Sequence, residues 1–213
     1  NTVSFYKYAP STNTWSVMAN VPSAVAAGGS LCDGEDGFIH CITGNNSTNH
    51  WRYTVAGDTW TVTDTITPYP VVTGSGARMS ASLLGYNTSG YLTSEVIDNS
   101  GICEGGMLVY DGTNLYGTAG DQSTAFWQYN IGTDTWSSKA SILERTGWGA
   151  SLCYDNSGNI YGFAGYGYNG DNRRAFSKYN ISADSWTELA DAPEDVWMGG
   201  AIVYVSGYVY AFT

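Results

Sequence analysis

The four residues Thr133-Asp134-Thr135-Trp136 have near-copies at three other places in this chain of 213 residues. The copies read TNTW at 12–15, GDTW at 57–60 and ADSW at 183–186. A tyrosine stands seven residues before each tryptophan, and a glycine stands thirteen residues after three of the four. Such self-similarity indicates a repeated supersecondary unit that buries its apolar face by stacking on its neighbours.

Each unit has the pattern of four short strands. A Gly-Ala or Gly-Gly pair opens an apolar run, as in GASLCY at 149–154, and a turn of Asp, Asn, Ser and Gly follows it. An alternating run such as IYGFAG at 160–165, an aromatic run such as FSKYN at 176–180 and the segment entered by Trp complete the unit. Short alternating runs between turn-forming residues predict a four-stranded antiparallel sheet.

The order of Gly-Gly strand, aromatic strand, Tyr, Asn/Asp-Thr-Trp turn and Pro resembles the kelch repeat of β-propellers, whose period is about 50 residues. The resemblance covers nearly the whole chain. It implies that each repeat is one propeller blade, with the Gly-Gly strand innermost and the tryptophan packed between blades.

We therefore predict an all-β fold, a single β-propeller domain over 1–213 with four or five blades of four antiparallel strands. The blades are predicted at 28–63, 105–139, 149–189 and, as one blade made from both ends of the chain, at 1–20 with 199–213; the segment 77–98 is either a partial blade or an insertion. Sharing one blade between the two terminal segments would close the ring and remove exposed sheet edges. The same half-blades could instead pair between chains and form a filament or another homo-assembly.

Composition excludes several partners. The chain has 19 acidic and 8 basic residues, a net charge of −11, and therefore lacks the basic footprint that nucleic acids require. No apolar run approaches the length of a membrane span. We expect no cofactor and no metal, because the turn aspartates of DGEDG at 33–37 lack the spaced oxygen ligands of an EF-type calcium loop.

The sequons favour an extracellular or cell-surface location, while the cysteines leave the compartment open. The four cysteines have no CxxC spacing, so they are either two disulfides or buried thiols; they are Cys32, Cys41, Cys103 and Cys153. Four asparagines begin Asn-x-Ser/Thr sequons and are candidate glycan sites; they are Asn45, Asn46, Asn87 and Asn180.

In propellers, the loops that leave the Trp strands meet the loops between second and third strands, and this face is the usual binding surface. Here these loops carry aromatic rings beside Asn, Asp and Arg, a combination that suits sugars, because rings cover C–H faces and polar groups bind hydroxyls. The ligand-binding candidates are Tyr69, Arg78, Arg145, Trp148, Tyr166, Tyr168, Asn169, Asp171, Arg173 and Trp197. For Trp148 and Trp197, wedging between blades is the alternative role.

The sequence thus predicts a non-catalytic extracellular binding module for a glycan or a protein. The alternative is a structural subunit of a glycosylated extracellular filament or similar assembly. A third hypothesis, a sialidase-like hydrolase, would use Arg78, Arg145 and either Arg173 or Arg174 with Tyr166 and Asp171. We expect no enzymatic activity, since the motifs of serine hydrolases, P-loop proteins and zinc proteases do not occur.

Overall fold

A computed structural model describes residues 3–25, 29–33, 37–42, 50–62, 106–118, 120, 122–166 and 172–213. The described residues form sixteen strands and no helix, so none of them belongs to a helix long and apolar enough to cross a membrane. The strands are β1 Phe5–Ala9, β2 Thr14–Val17, β3 Ser30–Asp33, β4 Phe38–Ile42, β5 His50–Thr54, β6 Thr59–Val62, β7 Met107–Tyr110, β8 Asn114–Thr118, β9 Phe126–Asn130, β10 Thr135–Lys139, β11 Ser151–Tyr154, β12 Asn159–Phe163, β13 Phe176–Asn180, β14 Ser185–Glu188, β15 Ala201–Val205 and β16 Tyr208–Phe212.

The strands form four antiparallel four-stranded sheets, as the repeat predicts. Three sheets use consecutive strands, in the orders β3-β4-β5-β6, β7-β8-β9-β10 and β11-β12-β13-β14. The fourth sheet has the order β15-β16-β1-β2. The all-β, blade-like architecture is therefore confirmed, while the predicted segment 77–98 lies outside the described residues.

The fourth sheet joins the two terminal segments of one chain. Strand β1 pairs with β16 in antiparallel register, with Phe5 opposite Phe212 and Tyr8 opposite Val209. Phe5 is fully buried, and its ring lies 4.8 Å from that of Tyr53 in the adjacent sheet. The predicted closure within one chain is thus the arrangement that the structure has, and an aromatic core joins it to the next sheet.

The sheets are stacked side by side through their first strands. Strand β7 lies beside β11, β11 beside β15, and β15 beside β3. The first strand of each sheet is therefore innermost, and the tryptophan strands β2, β6, β10 and β14 are outermost with mostly exposed residues. Burial is deepest in second strands such as β12 and β16, where four of five residues are buried.

The repeated turn needs Asn or Asp for a conformational reason. Asn13, Asp58, Asp134 and Asp184 all have a positive φ, at 53°, 48°, 55° and 47°. Among residues with a side chain, Asn and Asp adopt this left-handed conformation most readily. Their position two residues before each tryptophan is therefore fixed by the hairpin between the third and fourth strands.

The same side chain also binds the neighbouring sheet. Asp184 Oδ1 accepts a hydrogen bond from Tyr179 Oη at 2.6 Å and one from the Ala140 N–H at 2.9 Å. Trp186 Nε1 donates to the Ala140 carbonyl oxygen at 3.0 Å. The same three hydrogen bonds recur in two other places. In one, Tyr8, Asn13 and Trp15 take the roles of Tyr179, Asp184 and Trp186, and the backbone partner is Ala190. In the other, the three residues are Tyr53, Asp58 and Trp60, and the backbone partner is Ala19. The motif is therefore an inter-sheet clamp, which we call the Asx–Trp clamp.

Candidate ligand-binding face

Two sets of loops meet at one end of the sheets, as the resemblance implies. The loop after β14 is bound to the loop between β12 and β13, because the Ala192 N–H donates to the Arg174 carbonyl oxygen at 2.8 Å and Arg174 Nε donates to the Ala192 carbonyl oxygen at 2.6 Å. The loop after β10 is bound in the same way to the loop between β8 and β9, where the Gln122 N–H donates to the Thr146 carbonyl oxygen at 2.9 Å. We call this end of the molecule the loop face.

Three aromatic side chains lie in contact on the loop face. The rings of Trp148 and Tyr166 are parallel within 7°, with centroids 5.8 Å apart, and those of Tyr166 and Trp197 are parallel within 19° at 5.0 Å. The backbones of Trp148 and Tyr166 exchange two hydrogen bonds, which fix the first pair. These three residues form what we call the aromatic row, with Tyr166 in the middle.

Close backbone contacts between the loops allow the row to form. Gly149 has a φ of +78°, and a Cβ at this position would overlap the carbonyl oxygen of Trp197. A Cβ at Gly200, which follows on the Trp197 loop, would likewise overlap the Gly149 carbonyl oxygen. The absence of side chains at both positions therefore lets the Trp197 loop lie directly against the start of β11.

Arg173 lies over the aromatic row. Its guanidinium carbon is 4.2 Å from the centroid of Tyr166 and 5.2 Å from that of Trp197, within the range of cation–π attraction. Its Nη1 atom is 3.9 Å from Asp195 Oδ2, too far for a direct hydrogen bond. The side chains of Arg173 and Asp195 are 30% and 44% exposed, so both present polar atoms to solvent beside the rings.

The row is partly open to solvent. Trp197 is 44% exposed and the adjacent Met198 is 52% exposed, whereas Trp148 and Tyr166 are half-buried. By contrast, the repeat tryptophan Trp15, which packs against Phe163 in the next sheet at 5.8 Å, is half-buried. The exposed indole of Trp197 is therefore the accessible surface of this cluster.

The structure brings together four of the predicted residues, Trp148, Tyr166, Arg173 and Trp197. Arg145 is exposed on the neighbouring loop, beside Thr146. The remaining candidates, Tyr69, Arg78, Tyr168, Asn169 and Asp171, lie outside the described residues.

Asp195 is the functional candidate that sequence reasoning missed. It stands two residues before Trp197 in the loop DAPEDVW at 191–197. That position gave a usable signal, because a carboxylate beside an exposed tryptophan is a common pairing of polar and apolar groups in ligand sites.

Asn180, the described sequon asparagine, has a structural role. Its Nδ2 donates to Asn159 Oδ1 at 3.1 Å, and its Oδ1 accepts hydrogen bonds from the Ala183 N–H at 2.8 Å and from Ser182 Oγ at 2.7 Å. The side chain thus stabilises the turn between β13 and β14. The predicted sites Asn45, Asn46 and Asn87 lie outside the described residues.

The cysteine prediction is not decided by the described residues. Cys41 and Cys153 are buried, and burial raises the pKa of both thiols above the usual value. Cys32 is half-buried on β3, and Cys103 lies outside the described residues. Disulfide pairing therefore stays a prediction.

The turn aspartates bind their own backbone. Asp155 Oδ1 accepts the N–H groups of Ser157 at 2.8 Å and Asn159 at 2.9 Å, and Asp111 Oδ1 accepts that of Asn114 at 2.6 Å. Within the described ranges, no three His, Cys, Asp or Glu side chains are grouped as a metal site. Turn formation accounts for the aspartates at these two positions.

Comparison with known proteins adds no family assignment, since neither the protein-family models nor the curated proteins give a match to this chain. The fold and the loop face therefore define the class of protein on their own: an all-β chain with blade-like sheets, one of them formed from both terminal segments, and with an exposed aromatic cluster at one end.

Proposed function

We propose that this chain is a non-catalytic, extracellular, kelch-type propeller module that binds a glycan on its loop face. The observation that carries the proposal is the aromatic row, with Trp197 exposed and Arg173 and Asp195 beside it. The extracellular location is supported by the Asn-x-Ser/Thr sequons.

The chemistry of the row suits a sugar ring. The C–H groups on one face of a pyranose pack against an aromatic ring, while its hydroxyls need donors and acceptors at the ring edge. Trp197 supplies the apolar surface, and Arg173 and Asp195 supply a donor and an acceptor next to it. Covering the indole also removes apolar surface from water, which contributes roughly 25 cal/mol for each Å² buried.

A glycan array and a pull-down with extracellular proteins test the proposal. We expect sugar binding by the wild-type chain and at least tenfold weaker binding by Trp197→Ala, since an aromatic anchor at the centre of a site typically contributes about 1.4 kcal/mol or more. Tyr208→Ala is the matched control, because Tyr208 is also exposed, at 38%, but lies at the opposite end of the sheets. Blank results in both assays would exclude the binding function.

The two other hypotheses predict different outcomes. A structural subunit that assembles by exchanging terminal half-blades would need strand edges that β1 and β16 already use in pairing with each other. A sialidase would cleave a fluorogenic sialoside, and Arg145→Ala would abolish that cleavage. Capture of a protein without sugar binding would assign the face to protein recognition instead.

A further inference from the structure

We propose that the ligand is an uncharged sugar, one hydroxyl of which bridges Arg173 Nη1 and Asp195 Oδ2. The inference rests on the proposed function and names the chemistry that the same face selects.

The spacing between the two polar atoms fits one hydroxyl group. Nη1 and Oδ2 are 3.9 Å apart. A hydroxyl oxygen that accepts from the guanidinium at about 2.9 Å and donates to the carboxylate at about 2.7 Å would make an angle of roughly 90° between its two partners. The hydroxyl would thus act as acceptor and donor at once, and both of its bonds would be charge-assisted.

The aromatic contacts hold Arg173 in position for this role. The guanidinium is 4.2 Å from the centroid of Tyr166 and 5.2 Å from that of Trp197, which limits the rotamers open to a long side chain. Between the two loops, the Val196 N–H donates to the Arg173 carbonyl oxygen at 3.0 Å and so fixes the backbone next to Asp195. A hydroxyl bound here would lie beside the indole of Trp197, where a sugar ring would pack.

The charge of the loop face favours a neutral ligand. Asp191, Glu194 and Asp195 stand on the loop after β14, opposite Arg173 and Arg174. Positive and negative groups are therefore interspersed, and the whole chain carries a net charge of −11. An acidic sugar would meet repulsion from this loop, whereas hydroxyl groups can bind both signs of charge.

Titration calorimetry with four defined oligosaccharides tests the proposal. The neutral probes are the β-1,4-linked hexamers of glucose, mannose and N-acetylglucosamine, and the acidic probe is hexagalacturonate. We expect at least one neutral hexamer to bind more tightly than hexagalacturonate. Asp195→Ala and Arg173→Ala should each weaken that binding by tenfold or more, and the double variant should lose little beyond either single one, because both atoms serve one hydroxyl.

The matched control is Asp134→Asn, which removes an exposed carboxylate from the turn between β9 and β10, at the end of the sheets opposite the loop face, and should leave binding unchanged. Binding of a neutral hexamer that is weakened by Trp197→Ala but not by Asp195→Ala or Arg173→Ala would overturn the bridging hydroxyl and leave the proposed function standing. So would tighter binding of hexagalacturonate than of every neutral hexamer. If no hexamer and no sugar on the array is bound, both proposals fail.

Discussion

At the scale of single residues, the Asn or Asp of the repeat combines a backbone and a side-chain role. Asp184 adopts a φ of 47° and accepts hydrogen bonds from the Tyr179 hydroxyl and the Ala140 N–H. The sequence predicted that the repeated tyrosine and tryptophan are packing residues. The sequence did not reveal the hydrogen bond from the Ala140 N–H to the Asp184 carboxylate, because Ala140 belongs to another sheet and is 44 residues away.

Substitution of Asp184 separates the two roles. Asp184→Asn should change the free energy of unfolding little at neutral pH, since Asn13 holds the same position in the closing sheet. Asp184→Gly keeps the left-handed turn but loses the hydrogen-bond acceptor, and we expect it to destabilise the fold by about 1 kcal/mol. Asp184→Ala loses the acceptor and also strains the left-handed turn, and we expect about 2–3 kcal/mol. Urea denaturation measures the order, and equal stability of the Gly and Ala variants would contradict it.

The carboxylate of Asp184 makes the free energy of unfolding depend on pH. The Ala140 N–H, and then the Tyr179 hydroxyl, lower the pKa of Asp184 below its usual value. A lowered pKa in the folded state means that this stabilisation is complete above the unfolded pKa of about 3.9 and is lost as the pH falls through the folded pKa. The difference in unfolding free energy between wild type and Asp184→Asn should be constant from pH 7 to pH 5 and change only below about pH 4. A difference that stays constant down to pH 2 would show that the carboxylate has no such role.

At the scale of elements, hairpins and register were predictable, and contacts between loops were not. The pattern of turns and alternating runs predicts all four strands of the sheet from β11 to β14, and Tyr179 lies opposite Trp186 as the spacing requires. The position of Arg173 over Tyr166 depends on how two loops from different hairpins pack, which no local pattern encodes. Sequence could therefore propose these residues together but could not give their geometry.

Gly149, just before β11, allows a test of whether its close contact with the Trp197 loop positions the aromatic row. Gly149→Ala should destabilise the fold by more than about 1 kcal/mol, because the new Cβ would overlap the Trp197 carbonyl oxygen and the φ is +78°. The variant should also weaken sugar binding, because the Trp197 loop must move. Both effects are measured by urea denaturation and by calorimetry on the same samples.

Gly158→Ala is the matched control for that change. Gly158 has a φ of +88°, but a Cβ there would meet no atom within 4 Å. The Gly158→Ala variant should therefore be destabilised only by the strain of a side chain at positive φ, and it should bind sugar as tightly as the wild type. If Gly149→Ala and Gly158→Ala have the same effects, the close approach of Gly149 to Trp197 does not position the row.

At the scale of the whole molecule, closure by β1 and β16 predicts a monomer. The terminal strands pair within one chain, so they are not available as edges for a neighbouring chain. Size-exclusion chromatography with light scattering should give the mass of one chain, 22.8 kDa plus any glycans, across a wide range of concentrations. A mass that rises with concentration would support the structural subunit instead.

The central claim is that function lies where the repeats differ, at Trp197, and not in the Asx–Trp clamps that they share. The indole N–H signals of the eight tryptophans in a proton–nitrogen NMR spectrum test it directly, with the Trp197 signal assigned from Trp197→Phe. During titration with the sugar that binds best on the array, we predict that the Trp197 signal shifts. The signals of Trp15, Trp60 and Trp186, whose indoles are bonded between sheets, should stay in place. Shifts confined to the clamp tryptophans, or a Trp197 signal that does not move while sugar binds, would contradict the account.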